Sequence, residues 1–277
     1  MKTLKLARTA AAVLALSAGL AQAAFVTQWN VINDATFVPS SVMPAGNTFP
    51  LPVLSNANRS LMWGAPSPAG GQQSALHISP PGAGVLVPTN VLTSTVTVTH
   101  DNFPIVPGNS LTAVDIQANL TLNSVAPLVG PAISGSTTFS IKFLETLNGG
   151  EANGLCANGG TPGVGINSAG CADIFVLADN ALNFPIFYDA GDGETLTYFV
   201  SFFATGFGTL SNASCLAAGA AIGCRGFETA ENQSSSIDFK ILISGERFGT
   251  PEPGSIALTG LALAALGFVG RRRKQQK

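Results

Sequence analysis

The residues Thr99-His100-Asp101-Asn102 form the polar cluster in this chain that is best equipped for chemistry, because histidine is the commonest general base and metal ligand. They follow the alternating stretch 95–98. Period-two spacing therefore places His100 on the inner face of a strand and Thr99 and Asp101 on the outer face. Asp101 then cannot orient His100 as a triad acid would. We expect His100 to be structural, with a ligand or catalytic role as the alternative, and Asp101 and Asn102 to form an Asx-type turn.

A second candidate site is the acidic loop that contains Asp189, Asp192 and Glu194. Carboxylates on a glycine-containing loop can hold calcium. The spacing does not match the EF-hand pattern, however, and Asp and Gly are typical of hairpin turns. The sequence therefore predicts a solvated hairpin loop, with these three acids as weak calcium candidates and no other metal or cofactor.

The sequence lacks the common signatures of enzymes. It contains no Gly-x-Ser-x-Gly elbow, no His-Glu-x-x-His and no phosphate loop, and His77 and His100 are its two histidines. Glycosidases need only two carboxylates, and the chain has 15 acids. We predict no enzymatic activity and retain a polysaccharide-processing hydrolase as a distant third hypothesis.

Period-two alternation in the middle of the chain predicts the strands that position these residues. Four stretches alternate most clearly, each with one apolar and one polar face: 111–123, 138–143, 195–202 and 236–244. With Gly, Pro and Asn turns between them, they favour an all-β, antiparallel β-sandwich or jelly-roll-like fold. The segment Pro39–Gly84 is predicted to pack through Trp63 and Leu76–Ile78, with a linker as the alternative.

The four cysteines indicate an oxidising compartment. Cys156 and Cys171 bracket one glycine-rich loop, and Cys215 and Cys224 bracket another. Neither spacing matches a zinc site. Of the three possible connectivities we expect the two sequence-local disulfides, with free thiols as the alternative.

Composition excludes one class of function. Charged residues make up 10% of the 277, against about 25% in ordinary soluble domains. The basic residues concentrate at the two ends, so the interior is acidic, with five basic residues against 15 acids. Nucleic-acid binding requires a basic surface and is therefore excluded.

The N-terminus, residues 1–23, is predicted to be a secretory signal peptide. Lys2, Lys5 and Arg8 precede an apolar run over 10–20, and Ala21-Gln22-Ala23 is a small-residue cleavage site. We expect cleavage near Ala23 rather than a retained anchor, because the apolar run is too short to span a bilayer and is followed by this site.

The C-terminus, residues 251–277, has three parts. Pro251-Glu252-Pro253 is followed by the apolar run Ser255–Val269 and then by Arg271-Arg272-Arg273-Lys274. The apolar run predicts a short transmembrane helix. The basic cluster would remain cytoplasmic, which leaves the rest of the chain outside.

This tripartite tail closely resembles the PEP-CTERM sorting signal of Gram-negative bacteria that make exopolysaccharide. Thr99-His100-Asp101-Asn102 also resembles the signature of the THxN family of PEP-CTERM proteins. The stretches 61–64, 143–146 and 171–177 are similar to other parts of that family. The resemblance implies the Sec translocon, signal peptidase and exosortase as partners during export. It also implies transient inner-membrane anchoring before delivery to the cell surface or matrix. The family carries no established enzymatic activity.

We therefore expect residues 24–250 to form a single β-sandwich domain with a non-enzymatic structural or interaction role at the surface or in the exopolysaccharide matrix. The alternative is a carbohydrate- or calcium-binding module. An open concave face carrying Trp29 or Trp63 would favour the binding module, and two close carboxyl groups lining a cleft would favour the hydrolase.

Overall fold

The computed structural model describes residues 25–46, 50–108, 110–128, 130–177, 182–189 and 195–248. The predicted signal peptide, transmembrane helix and sorting tail lie outside these residues. No helix within the described ranges is long and apolar enough to cross a membrane.

The described residues are mostly β-strand, as the alternation predicts. The strands are β1 (Gln28–Phe37), β2 (Met43–Pro44), β3 (Val53–Ser55), β4 (Ser60–Trp63), β5 (Ser74–Ile78), β6 (Val85–Pro88), β7 (Thr93–Asn102), β8 (Leu111–Ala126), β9 (Ile133–Leu144), β10 (Asp173–Leu177), β11 (Phe184–Asp189), β12 (Thr195–Thr205), β13 (Gly208–Thr209), β14 (Arg225–Thr229) and β15 (Gln233–Ser244). One short helix, α1 (Asn212–Ala217), and the 3-10 turns Pro39–Ser41 and Gly165–Asn167 complete these elements.

The strands form two antiparallel sheets that pack as a sandwich. Sheet A has the order β13-β14-β10-β9-β8-β1-β6, with β2 also paired to β8. Sheet B has the order β11-β12-β15-β7-β5-β4-β3. The predicted all-β sandwich class is therefore confirmed.

The alternating stretches predicted to be strands bury their apolar faces between the sheets. Residues from three of those stretches are buried: Val114, Ile116, Ala118, Leu120, Leu122, Phe139, Ile141, Phe143, Ile237, Phe239, Ile241 and Ile243. In the fourth stretch, Tyr198, Val200 and Phe202 are buried. The segment 39–84 also packs, because Trp63, Leu76 and Ile78 are buried in sheet B.

The core has two clusters, and the aromatic residues differ between them. One cluster contains Trp63, Phe143, Phe175 and Phe227. The other is built around Trp29, whose ring makes edge contacts with Tyr188 and Tyr198 at centroid distances of 5.2 and 5.0 Å. Polar tips in this second cluster are satisfied; for example, the Tyr188 hydroxyl donates to Ser124 Oγ at 2.7 Å.

Both predicted disulfides are confirmed. Cys156 pairs with Cys171 in the connection between β9 and β10, and Cys215 of α1 pairs with Cys224 just before β14. All four cysteines are thus bonded. The first disulfide closes the loop that lies beside the candidate site described next.

Candidate functional site

The inner face of β7 carries the motif histidine, as the alternation predicts. Val96, Val98, His100 and Asn102 are all buried on this face, and His100 and Asn102 have no solvent exposure. Asp101 lies on the opposite face, where its Oδ2 is 3.2 Å from Nε2 of His77. Asp101 therefore does not orient His100.

The predicted Asx-type turn at Asn102 is wrong. Asn102 is still part of β7, and its Nδ2 donates to the main-chain oxygen of Thr229 in sheet A at 2.9 Å. The next residue is held by Ser74 of β5, whose Oγ accepts from Phe103 N at 3.2 Å and donates to Phe103 O at 3.0 Å. The amide of Asn102 thus bridges the two sheets.

Opposite β7, three neighbouring strands of sheet A place a row of polar side chains on the inner face. Asp173 pairs directly with Thr229 across β10 and β14. The β9–β10 register, in which Ile174 faces Leu144, continues by one residue to bring Glu145 opposite Asp173. Residues opposite each other on antiparallel strands share a face. Glu145, Asp173 and Thr229 therefore lie side by side, and we call them the polar row.

The next row on the same face is entirely aromatic. Phe143, Phe175 and Phe227 occupy the same three strands two residues further along. The His100 ring packs edge-on against Phe143 at 5.1 Å and stacks on Trp63 at 5.8 Å. The imidazole is thus held on carbon surfaces, and its Nε2 lies 3.9 Å from Asp173 Oδ2.

Hydrogen bonds fix the carboxyl groups of the polar row. Trp63 Nε1 donates to Glu145 Oε2 at 3.1 Å. The main-chain N–H of Thr146 donates to Asp173 Oδ1 at 2.8 Å. The Thr146 hydroxyl donates to the main-chain oxygen of Cys171 at 2.8 Å, which ties the row to the disulfide-closed loop.

A third carboxyl group, that of Glu231, lies just beyond β14. Its side chain approaches Asn148 beside Gly170, where a Cβ atom would meet both Asn148 Oδ1 and Glu231 Cγ at 3.1 Å. Gly170 also has a φ of +142°. This position therefore requires glycine, and Glu231 is left only 1% exposed.

Burial controls the charge states of these groups. It raises the pKa of Glu145 to about 8 and that of Glu231 to about 6. Burial, followed by the charge of Glu145, raises the pKa of Asp173 well above its ordinary value. Burial also lowers the pKa of His100 to about 3, so the imidazole is neutral at physiological pH.

The carboxyl groups of Glu145 and Asp173 come from residues that lie opposite each other, and the pKa of each is raised. Two ionised carboxylates repel each other and cannot hydrogen bond to each other, because each is then only an acceptor. Among the described residues, no Lys or Arg forms an ion pair with either group. We therefore infer that the pair keeps at least one proton at neutral pH.

The geometry argues against two external activities. Asp173 and Glu231 are each 1% exposed and Glu145 is partly buried, so at most one of these three carboxyl groups faces solvent, whereas a hydrolase cleft requires two. Trp29 and Trp63 are fully buried, so neither can stack on a sugar. Within the described ranges, no group of three His, Cys, Asp or Glu side chains could hold a metal ion.

The acidic loop connects two strands, as predicted. Asp189 is the last residue of β11 and pairs with Thr195, the first residue of β12. β11 and β12 are thus consecutive antiparallel strands on either side of residues 190–194. Asp192 and Glu194 lie outside the described residues, so the calcium hypothesis remains a prediction.

Sequence reasoning assigned no role to Glu145, Asp173, Thr229 or Glu231. A usable signal was present for Glu145, because it continues the inward-facing series of Phe139, Ile141 and Phe143. The four stretches 61–64, 99–102, 143–146 and 171–177 each contribute one residue to the cluster around the polar row. These residues are Trp63, His100, Glu145 and Asp173.

The fold and this enclosed cluster define a disulfide-bonded β-sandwich protein. No protein-family model and no curated protein matches the chain. The role of the polar row and its neighbours is therefore inferred from their geometry.

We expect the protein to be less stable at pH 8 than at pH 5. The folded-state pKa of Glu145, about 8, exceeds its ordinary value of 4.5, so the folded protein retains a proton that the unfolded chain loses across this window. The unfolding midpoint should fall by roughly 3–5 °C per pH unit for each retained proton. Neutral His100 acts in the opposite sense, destabilising the fold as pH falls from 6.5 towards 3.

Thermal unfolding between pH 4 and pH 9 measures this profile. Glu145→Gln should flatten the decline above pH 6, because a carboxamide does not titrate. Exposed Glu151 provides the matched control, and Glu151→Gln should keep the wild-type profile. A wild-type midpoint that rises steadily from pH 5 to pH 8 would contradict the retained proton.

We expect His100→Ala to lower stability rather than to remove a binding site. The variant loses a buried ring stacked on Trp63, which should cost about 0.5–3 kcal/mol of unfolding free energy. His77→Ala is the control and should cost less, because His77 lies on the outer face and its side chain is 40% exposed. Chemical denaturation measures both values. Loss of a metal or glycan interaction in His100→Ala at unchanged stability would refute the structural role.

Proposed function

We propose that this protein is exported, cut at both ends and delivered to the cell surface or exopolysaccharide matrix of a Gram-negative bacterium, where it has a non-enzymatic structural or interaction role. The observation that carries the proposal is the pairing of all four cysteines in two disulfides. Structural disulfides persist in oxidising compartments and are rare in the cytosol.

The chemistry of the described residues supports a structural role over a catalytic one. Three titratable groups lie close together: Glu145, Asp173 and His100. They are packed among aromatic side chains and interact mainly with one another. Close packing of this kind leaves no room for an external substrate at these groups. A rigid, oxidised sandwich suits a protein that must persist outside the cell.

The two ends of the sequence carry the signals for export and processing. The signal-like segment 1–23 directs entry into the Sec translocon, and signal peptidase cuts near Ala23. The tail holds the protein in the inner membrane until an exosortase cuts near Pro251-Glu252-Pro253. The resemblance of this tail to a PEP-CTERM signal is the basis for the second step.

Intact-mass measurement of the released protein, made in its own bacterium, tests this route. We expect the released protein to begin near residue 24 and to lack 271–277. Replacing Pro251, Glu252 and Pro253 with alanine should leave uncut protein in the inner membrane. Gln275→Ala with Gln276→Ala is the matched control, because it alters the tail outside the motif, and it should be released normally.

Two results would contradict the proposal. One is released protein that still carries Arg271 to Lys277. The other is normal release of the triple-alanine variant, which would show that the Pro-Glu-Pro segment does not direct processing.

A further inference from the structure

Two reactive groups at the centre of the cluster are left without partners. Thr229 and Asn102 are both fully buried, and within the described residues neither Thr229 Oγ1 nor Asn102 Oδ1 has a hydrogen-bond partner. An unmade hydrogen bond inside a protein costs free energy, so such groups call for an explanation. One is a hydroxyl, a potential nucleophile, and the other is a carboxamide, a potential electrophile.

The two groups are neighbours held from opposite sheets. Asn102 ends β7 of sheet B, and its Nδ2 lies 2.9 Å from the main-chain oxygen of Thr229 itself. Thr229 ends β14 of sheet A. Groups held together in this way react with effective concentrations far above those of free molecules.

Groups that can move a proton flank the hydroxyl. Asp173 is the cross-strand partner of Thr229, which puts their Cβ atoms about 4.5–5.5 Å apart on the inner face. Asp173 in turn lies opposite Glu145, and its Oδ2 is 3.9 Å from Nε2 of neutral His100. A carboxyl pair with one proton can both accept a proton and return one.

Thr229 and Asn102 have no solvent exposure, so an external substrate cannot reach them. A nucleophile, an electrophile and a proton relay in such a place can act only on the chain itself. We propose that Thr229 and Asn102 form an intramolecular ester cross-link between the two sheets. This inference does not depend on the proposed function.

The reaction balances without any co-reactant. Thr229 Oγ1 attacks Cγ of Asn102, so that an Oγ1–Cγ bond forms and the Cγ–Nδ2 bond breaks. The hydroxyl proton passes to the Asp173–Glu145 pair and from there to the departing nitrogen, which leaves as ammonia. No atom is oxidised or reduced, and exclusion of water protects the ester from hydrolysis.

Mass spectrometry of the mature protein tests the cross-link. We expect the folded wild type to be lighter by one ammonia than the mass calculated from its mapped ends and two disulfides. After reduction and digestion, the peptide containing Asn102 should be joined to the peptide containing Thr229. Thr229→Val should have the full mass, and Asn102→Asp should lose water instead of ammonia.

Folded wild type with its full mass and separate peptides would overturn the proposal, and buried water would then be the partner of these atoms. A loss of ammonia located at Asn148, Asn153 or Asn158 would also overturn it. Each of these residues precedes a glycine and could lose ammonia by cyclisation on its own. Because the wild-type protein alone decides the result, a variant that fails to fold does not affect it. The outcome is also separate from that of the processing experiment.

Discussion

The opposed carboxyl groups of Glu145 and Asp173 are the constraint on which this end of the sandwich depends. Both cannot be ionised there without repelling each other, and the pKa of each is raised, so the pair must keep a proton. The surroundings are consistent with that requirement. Trp63 and the Thr146 main chain donate to the pair, and the nearby imidazole of His100 is kept neutral by burial.

This arrangement explains how distant parts of the chain are organised. The polar row takes one residue each from β10, β14 and the end of β9, and β4 and β7 of the other sheet face it. The loop closed by Cys156 and Cys171 is tied to the row through the Thr146 hydroxyl. The other core cluster, around Trp29, has no comparable carboxyl pair among the described residues and is stabilised by aromatic packing and tyrosine hydroxyls. Among the described residues, the buried carboxyl groups are therefore concentrated at the polar row and not around Trp29.

Much of the fold could be predicted because its determinants are local. Period-two alternation identified the strands around Ile141 and Ile241, and the cysteine spacings identified both disulfides. The inward direction of His100 followed from the same parity. The polar row could not be predicted, because its residues are far apart in the sequence. They come together only when β9, β10 and β14 pair in their observed registers. The turn at Asn102 was wrongly predicted because the local preference of Asn is overridden by its bond to the opposite sheet.

The most direct test of this account is an NMR titration of the side-chain carboxyl carbons, with Glu145 and Asp173 assigned through Glu145→Gln and Asp173→Asn. Because burial favours the protonated form of both groups, the account predicts that the pair keeps a proton at pH 6 and that the Glu145 signal titrates near pH 8. Titration of both Glu145 and Asp173 at or below about pH 4.5, as for carboxyl groups in water, would contradict it.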